Sequence, residues 1–354
     1  MIIKNLKLSG FRNLADTDLM PDKEMNILCG ENAQGKTNVI EAVWLFTGAK
    51  SFRTNKDPEM IQFGRQKATL CITFETQGIE KTAKIEIGLK RKAKINEKAL
   101  SSASCLAGNF YAVVFSPNDL SLVKDGPSVR RRFLDLAIGQ LYPNYINILR
   151  SYLRGVSQRN SILKDSLKDS TLNILLDGFE EKIAEDGIKI YKYRKKYIEM
   201  LTQYAPQIYL DLSDKKEKLK IEYLCSANED NFSELLKNSR RDDAFRGATS
   251  VGPHRDDIAF FINGNNARNY ASQGQQRSVA LSLKLSEAEI VKNITGEQPV
   301  ALLDDVMSEL DKSRQNYILN HIKGWQVFIT CCDNDQIDNL KSGKIFTVDR
   351  GEIF

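Results

Sequence analysis

The segment Gly30-Glu31-Asn32-Ala33-Gln34-Gly35-Lys36-Thr37 meets every fixed position of G-x-x-x-x-G-K-[ST]. Its two glycines let backbone N–H groups curl into a nest for phosphate oxygens, since glycine enters the required φ range without steric cost. Lys36 is then set to reach the β- and γ-phosphates, and the Thr37 hydroxyl to ligate Mg2+. The flanks supply the context that such a loop needs. Residues 25–29 read as a short buried strand, and residues 38–47 as a mostly apolar helix that Gly48 terminates. A helix N-terminus facing the loop completes an anion site, so the segment is expected to bind a nucleoside triphosphate.

The remaining composition is that of an ordinary globular chain. It has 354 residues, 42% hydrophobic and 27% charged, enough for one or two domains with a sizeable core. No apolar run approaches the ~20 residues of a membrane span, and the N-terminus lacks the build of a signal peptide. The six cysteines (29, 71, 105, 225, 331 and 332) show neither metal nor disulfide spacing. A reduced, cytoplasmic protein without a membrane partner is therefore expected. Cys331-Cys332 reads as strand-end packing rather than a redox site. The net charge of +5 permits a nucleic-acid partner without arguing for one.

Along the chain, strands separated by helices point to an α/β sheet. Residues 1–29 read as edge strands leading into the first core strand. Arg12, just before the loop, reads either as a surface residue on such a strand or as a group folding back onto the nucleotide. Residues 68–75 and 82–89 alternate as strands, and Lys90, Arg91, Lys92 and Lys94 lie in a basic run that reads as a cationic hairpin tip. A solvated face and a phosphate contact fit that run equally. From Gly126-Pro127 to about residue 203 the apolar spacing is helical, with Pro143, Gly155 and Gly178 as expected interruptions that rule out a long coiled coil. Tyr191-Lys192-Tyr193-Arg194-Lys195-Lys196-Tyr197 is either a nucleic-acid surface or an amphipathic helix face. Residues 230–245 read as a helix, and 258–262 with 267–271 as a hairpin about Asn263-Gly264. The resulting division is a discontinuous head, 1–125 plus 250–354, around a mainly helical subdomain, 126–249.

Chemistry concentrates near the C-terminal end. Val300 to Leu303 is an apolar strand that ends in Asp304, where a Walker-B carboxylate belongs, holding Mg2+ directly or through water. Asp305 can orient an attacking water as a base. Ser272-Gln-Gly-Gln-Gln-Arg277 opens a long helix; Ser272 is a natural N-cap, and the Ser, Gly and Gln groups also make a second anion site. Two histidines, 254 and 321, are too few for a histidine metal cluster, and His321 at a helix end reads as structural.

At this point the chain resembles the SMC-type ATP-binding-cassette ATPases, in which an S-x-G-Q signature from one molecule caps ATP held by the phosphate loop of another. Gly10-Phe-Arg-Asn13, Ser116-Pro-Asn-Asp-Leu120, Gly252-Pro-His-Arg-Asp-Asp257, Ser272 to Arg277 and Leu303 to Asp311 together are similar to the RecF family of bacterial DNA replication and repair proteins. The similarity covers the whole chain. It implies an α/β ATPase head with a helical second subdomain and no long coiled coil. By the same resemblance, Gly30 to Thr37 and Arg12 bind ATP, Thr37 and Asp304 hold Mg2+, and Asp305 with Lys36 is catalytic. Ser272, Gly274 and Gln275 close the site in trans, and Ser308 to Asp311 form the dimer-contacting loop. The implied partners are a second copy under ATP, duplex DNA and single-strand/double-strand junctions, RecR and RecO.

Three departures accompany the resemblance. Asp305 stands where many cassette ATPases carry Glu, no Gln follows Phe115, and Cys331-Cys332 replaces the switch histidine. They imply a weak, DNA-stimulated ATPase in which ATP is a dimerisation switch. The alternative is a monomeric P-loop phosphotransferase or a transporter-type nucleotide-binding subunit. The signature helix has no role in the former, and the helical arm carries no membrane-facing feature for the latter.

Overall fold

The computed structural model describes residues 1–54, 56–166, 172–332 and 343–354. The chain forms two compact units, Met1–Asp119 with Leu281–Phe354, and Leu120–Ala280. The second is wider than the expected 126–249, because strand Asp257–Ile262 pairs with Leu219–Leu224 and ties the 250s to the helical unit.

The first unit contains two six-stranded sheets. One runs Glu352–Ile353, Lys344–Asp349, Met25–Cys29, Val327–Cys331, Val300–Leu303, Ala112–Phe115, all parallel except the edge strand Glu352–Ile353. The strands Val300–Leu303, Ala112–Phe115 and Val327–Cys331 are buried at every position, as continuous apolar runs in a covered parallel sheet should be. Helix Lys36–Leu45 is also covered: Val39, Ile40, Ala42 and Val43 are wholly inaccessible. The phosphate loop, Asp304 and Cys332 follow the C-terminal ends of three adjacent parallel strands. That end of an open α/β sheet is where ligand crevices form.

The other sheet is antiparallel, in the order Thr17–Leu19, Ile2–Ser9, Ala68–Thr76, Ile79–Ile87, Lys92–Ile95, Lys98–Ala99. Ile2–Ser9 is thus an interior strand, paired on both sides, and not the edge that its position in the sequence suggested.

The second unit is built on helices Pro127–Leu141, Pro143–Ser166 and Leu172–Leu212. Residues 167–171 of the expected helical stretch lie outside the described residues. Pro143 does interrupt, at the first position of its helix, where its missing N–H costs nothing. Gly155 and Gly178 do not, each lying inside a helix. A Cβ on Gly155 would stand 2.8 Å from Ile183 Cγ1, so this glycine lets the two long helices approach closely. The 230–245 stretch splits into Phe232–Asn238 and Arg240–Arg246. The turn at Asn263-Gly264, both with positive φ, is present, but its second strand stops at Asn266. Asn266 accepts a hydrogen bond from Arg268 N and caps a short helix, Ala267–Tyr270, in place of the expected strand.

Candidate nucleotide-binding site

The phosphate loop is shaped by neighbours that only glycine admits. At Gly30 (φ 156°) a Cβ would stand 2.1 Å from Val348 O, and at Gly35 (φ 121°) 2.8 Å from Leu14 Cδ2. Ala33 also takes a left-handed conformation, φ 67°. The tip is held from outside: Gln34 O accepts from Gly351 N at 3.0 Å, and Gln34 Oε1 accepts from Arg350 N at 2.6 Å. Asn13 Nδ2 reaches Ala33 O at 3.3 Å, while Asn13 Oδ1 accepts from Asn38 Nδ2. Asn13 and the Arg350-Gly351 turn were not identified from the motif, which says nothing about the groups that brace it. Lys36 is curled over the loop, its Nζ donating to Gly30 O and, at 2.9 Å, to Glu31 O.

Thr37 and Asp304 meet as the two motifs require. Thr37 Oγ1 donates to Asp304 Oδ1 at 2.8 Å. Burial holds the Asp304 carboxyl above its ordinary value; the Thr37 hydroxyl opposes this and Asp305 adds to it. Asp305 has φ 51° and is fastened to Thr330, whose hydroxyl accepts Asp305 N–H at 2.8 Å and lies 3.0 Å from Asp305 Oδ1 and 3.3 Å from Asp304 Oδ1. Thr330, at the end of a core strand, carries no signal in sequence beyond being polar there. Mg2+ suits this donor set. Thr37 and Asp304 offer hard oxygens side by side, and Mg2+ keeps waters and phosphate oxygens as its other ligands. Among the described residues no group of three or more His, Cys, Asp or Glu could enclose a metal by itself.

Arg12 (φ 53°) has its guanidinium on the inaccessible carboxylate of Glu41, in the phosphate-loop helix, at 2.9 and 2.7 Å. Arg53 joins the same carboxylate at 3.5 Å and donates to Asn38 Oδ1. Glu41 therefore gathers two cations beside the loop, and Arg53 is a candidate that no sequence motif marks.

The RecF/RecN/SMC N-terminal domain model matches residues 2–352. A DNA replication and repair protein RecF of Ruminiclostridium cellulolyticum is 40% identical, over 97% of this chain and 95% of its own. One of Lactobacillus delbrueckii subsp. bulgaricus is 40% identical over 100% and 97%. The chain belongs to the RecF family. A solved structure of the recombination mediator protein RecF with ATP, in the RecFOR pathway, superposes with TM-score 0.92 at 37% identity, over 100% of this chain and 97% of that one. An Smc head domain derived from Pyrococcus furiosus, 15% identical with TM-score 0.56 over 99% and 95%, shares the fold.

Against this family background the remaining candidates divide. In the second unit, Ser272 and Gln275 form a reciprocal capping box: Ser272 N donates to Gln275 Oε1 at 2.8 Å, and Gln275 N to Ser272 Oγ at 3.3 Å. Gln275 Nε2 also donates to Glu217 Oε1 at 2.7 Å. Gly274 lies in the first turn of helix Gln273–Thr295. In the first unit, Ser308 Oγ donates to Asp305 O at 2.9 Å, and Asp311 caps helix Lys312–His321. His321 lies 3.0 Å from Glu289, between Tyr317 and Trp325, in a structural setting.

Of the basic run, Lys90, Lys92 and Lys94 are exposed, Lys94 lying 3.6 Å from Glu97. Arg91 is different. Its guanidinium is folded onto Asp57 and Ala49 O and is only 11% exposed, so it braces the hairpin and is not available to phosphate. The Tyr191–Tyr197 segment is an amphipathic helix face: Tyr191, Arg194 and Tyr197 are buried and leave only Lys192, Lys195 and Lys196 fully outward. Arg194 is committed to Pro253 O, Asp135 and Asp256. The Gly252–Asp257 motif is likewise structural here. A Cβ on Gly252 would stand 2.4 Å from Tyr152 Oη, and Asp257 pairs with Arg130 at 2.6 and 2.9 Å.

Proposed function

We propose that this chain is an ATP-dependent DNA-binding clamp of recombinational repair and replication restart. ATP with Mg2+ joins two copies, with Ser272, Gly274 and Gln275 of one completing the phosphate site of the other. The closed pair binds duplex DNA next to single-strand gaps and, with RecR and RecO, helps load recombinase there. Slow hydrolysis then resets it.

The observation that carries this reading is the convergence of Lys36, Thr37, Asp304 and Asp305 on one end of one parallel sheet, with Thr37 Oγ1 2.8 Å from Asp304 Oδ1. Full-length relatives named DNA replication and repair protein RecF, and RecF structures with ATP in the RecFOR pathway, support it. Slow turnover is supported by the short reach of Asp305 and by its tether to Thr330. Lys36 can swing from the carbonyls of Gly30 and Glu31 to phosphate oxygens, exchanging two neutral acceptors for a charged one.

ATP and DNA each favour the closed pair in this scheme, so each must tighten binding of the other by the same factor. Fluorescence anisotropy of gapped duplex DNA with ATP and with ADP tests it. Tighter binding with ATP than with ADP is expected. Equal affinity under the two nucleotides would leave ATP without the role assigned to it.

A further inference from the structure

Two large apolar side chains stand fully in solvent at one end of the antiparallel sheet. Phe63 is 104% exposed and Leu89 108%, as open to water as in a short peptide. Neither is on a loose tail. Phe63 and Gly64 are the middle of a tight turn closed by Arg65 N–H to Gln62 O at 3.0 Å, and Gly64 has the positive φ, 82°, of a type II turn. Gln62 ties this turn down. Its N–H donates to Gly10 O at 2.9 Å and its Nε2 to Leu14 O at 3.3 Å, while Arg65 lies 3.7 Å from Asp16. Leu89 lies in the turn between strands Ile79–Ile87 and Lys92–Ile95, which Arg91 pins to Asp57. The two turns leave the sheet side by side: Ala68 pairs with Ile87, and a Cβ on Gly88 would stand 4.0 Å from Gln66 O and from Lys67 Cβ.

The rim around them is cationic. Its carboxylates are each met by a cation, Asp16 by Arg65, Asp57 by Arg91, Glu59 by Lys56 and Glu86 by Lys84. Lys67, Lys90 and Lys92 are exposed and add surplus positive charge. A firmly mounted ring among surplus lysines has the make-up of a platform for unpaired nucleic acid, where bases stack on aromatic faces and cations follow the backbone. An intact duplex hides its base faces in the stack, whereas the border of a gap exposes one. We propose that Phe63 reads the single-strand/double-strand border, its ring stacking on the base face exposed there. Lys67, Lys90 and Lys92 hold the flanking phosphates, and Leu89 widens the apolar contact. The proposal rests on the DNA-binding reading above and assigns its preference for gaps to one side chain.

Small duplex circles test this, since they have no ends to offer a base face. Affinity of the whole chain in ATP and Mg2+ is measured by competition, over a range of salt, for a circle with one short gap and for the same circle intact. Phe63→Ala is expected to lose about tenfold on the gapped circle, the worth of one stacked base, and less than about twofold on the intact one. Because the ring is uncharged, the salt slope should not move. Phe63→Trp should keep the preference, and 5-iodouracil placed at the gap border should crosslink to Phe63 under light. Equal losses on both circles, a gap preference that survives Phe63→Ala, or a wild type without that preference would overturn the proposal alone. So would a Phe63→Ala chain that keeps its gap preference and loses ATP-driven pairing, which would make the turn a protein interface. Wild-type protein that binds neither circle would overturn the DNA-binding reading as well.

Discussion

Thr37 Oγ1 and Asp304 Oδ1 lie 2.8 Å apart, joining the first turn of the phosphate-loop helix to the end of a buried parallel strand 267 residues later in the chain. Neither residue needs to move far to share a cation. Asp304→Asn keeps the size of the side chain and removes its charge. Calorimetry is expected to show nucleotide affinity in Mg2+ falling by about tenfold or more, with metal-free affinity nearly unchanged. An equal loss with and without Mg2+ would mean that Asp304 supports the loop and not the metal.

Asp305 is held in a left-handed conformation by Thr330, the geometry proposed to orient a water. Asp305→Asn is expected to lower ATP turnover by about a hundredfold, the lower range for loss of a general base, while leaving ATP affinity intact. Thr330→Val should lower turnover less, because it frees the carboxylate without removing it. Steady-state turnover and nucleotide affinity, measured on both variants, separate the two effects.

The cationic hairpin divides cleanly. Lys90, Lys92 and Lys94 face solvent, whereas Arg91 is folded onto Asp57. If the lysines bind DNA, neutralising them flattens the dependence of log affinity on log salt by about one unit for each phosphate that is no longer neutralised. Arg91→Gln is expected to leave that slope alone and to lower thermal stability instead. A slope that responds to Arg91 and not to the lysines would reverse the assignment.

His254 supplies a pH test of the helical unit. Its Nδ1 lies 2.7 Å from the Tyr152 hydroxyl, and its Nε2–H donates to Thr249 O at 3.1 Å. Burial, with Arg255 and Arg131 nearby, lowers it from 6.5 to about 4, partly offset by the Thr249 carbonyl. Between those values the unfolded chain takes up a proton that the folded one refuses, so this contribution to stability is present above about 6.5 and lost as pH falls toward 4. Thermal unfolding from pH 7 to pH 4.5 should show a steeper decline for wild type than for His254→Gln.

The parts of the site that were legible in the sequence are those in which a backbone shape or a strand end dictates residue type. The phosphate loop needs its glycines, and the carboxylates that end the apolar strand gain their meaning from that loop upstream in the same chain. The supporting groups were not legible, because their partners are distant in the chain. Arg91 looked like one more cation until Asp57 stood against it, and Thr330 looked like any strand-end hydroxyl. Gly155 shows the same limit in the fold. A glycine that breaks a helix and one that admits Ile183 are the same letter, and only the packing tells them apart. In Tyr191–Tyr197 the alternation of rings and bases concealed a three-residue spacing that buries Tyr191, Arg194 and Tyr197 together.

ATP is proposed to join two copies of this chain. Sedimentation velocity with Mg2+ tests it most directly, run with ATP and with ADP on wild type, Asp305→Asn and Lys36→Met. A dimer is expected for wild type under ATP, a more persistent dimer for Asp305→Asn, and monomers under ADP and for Lys36→Met. A monomer under ATP for wild type and Asp305→Asn alike would contradict it.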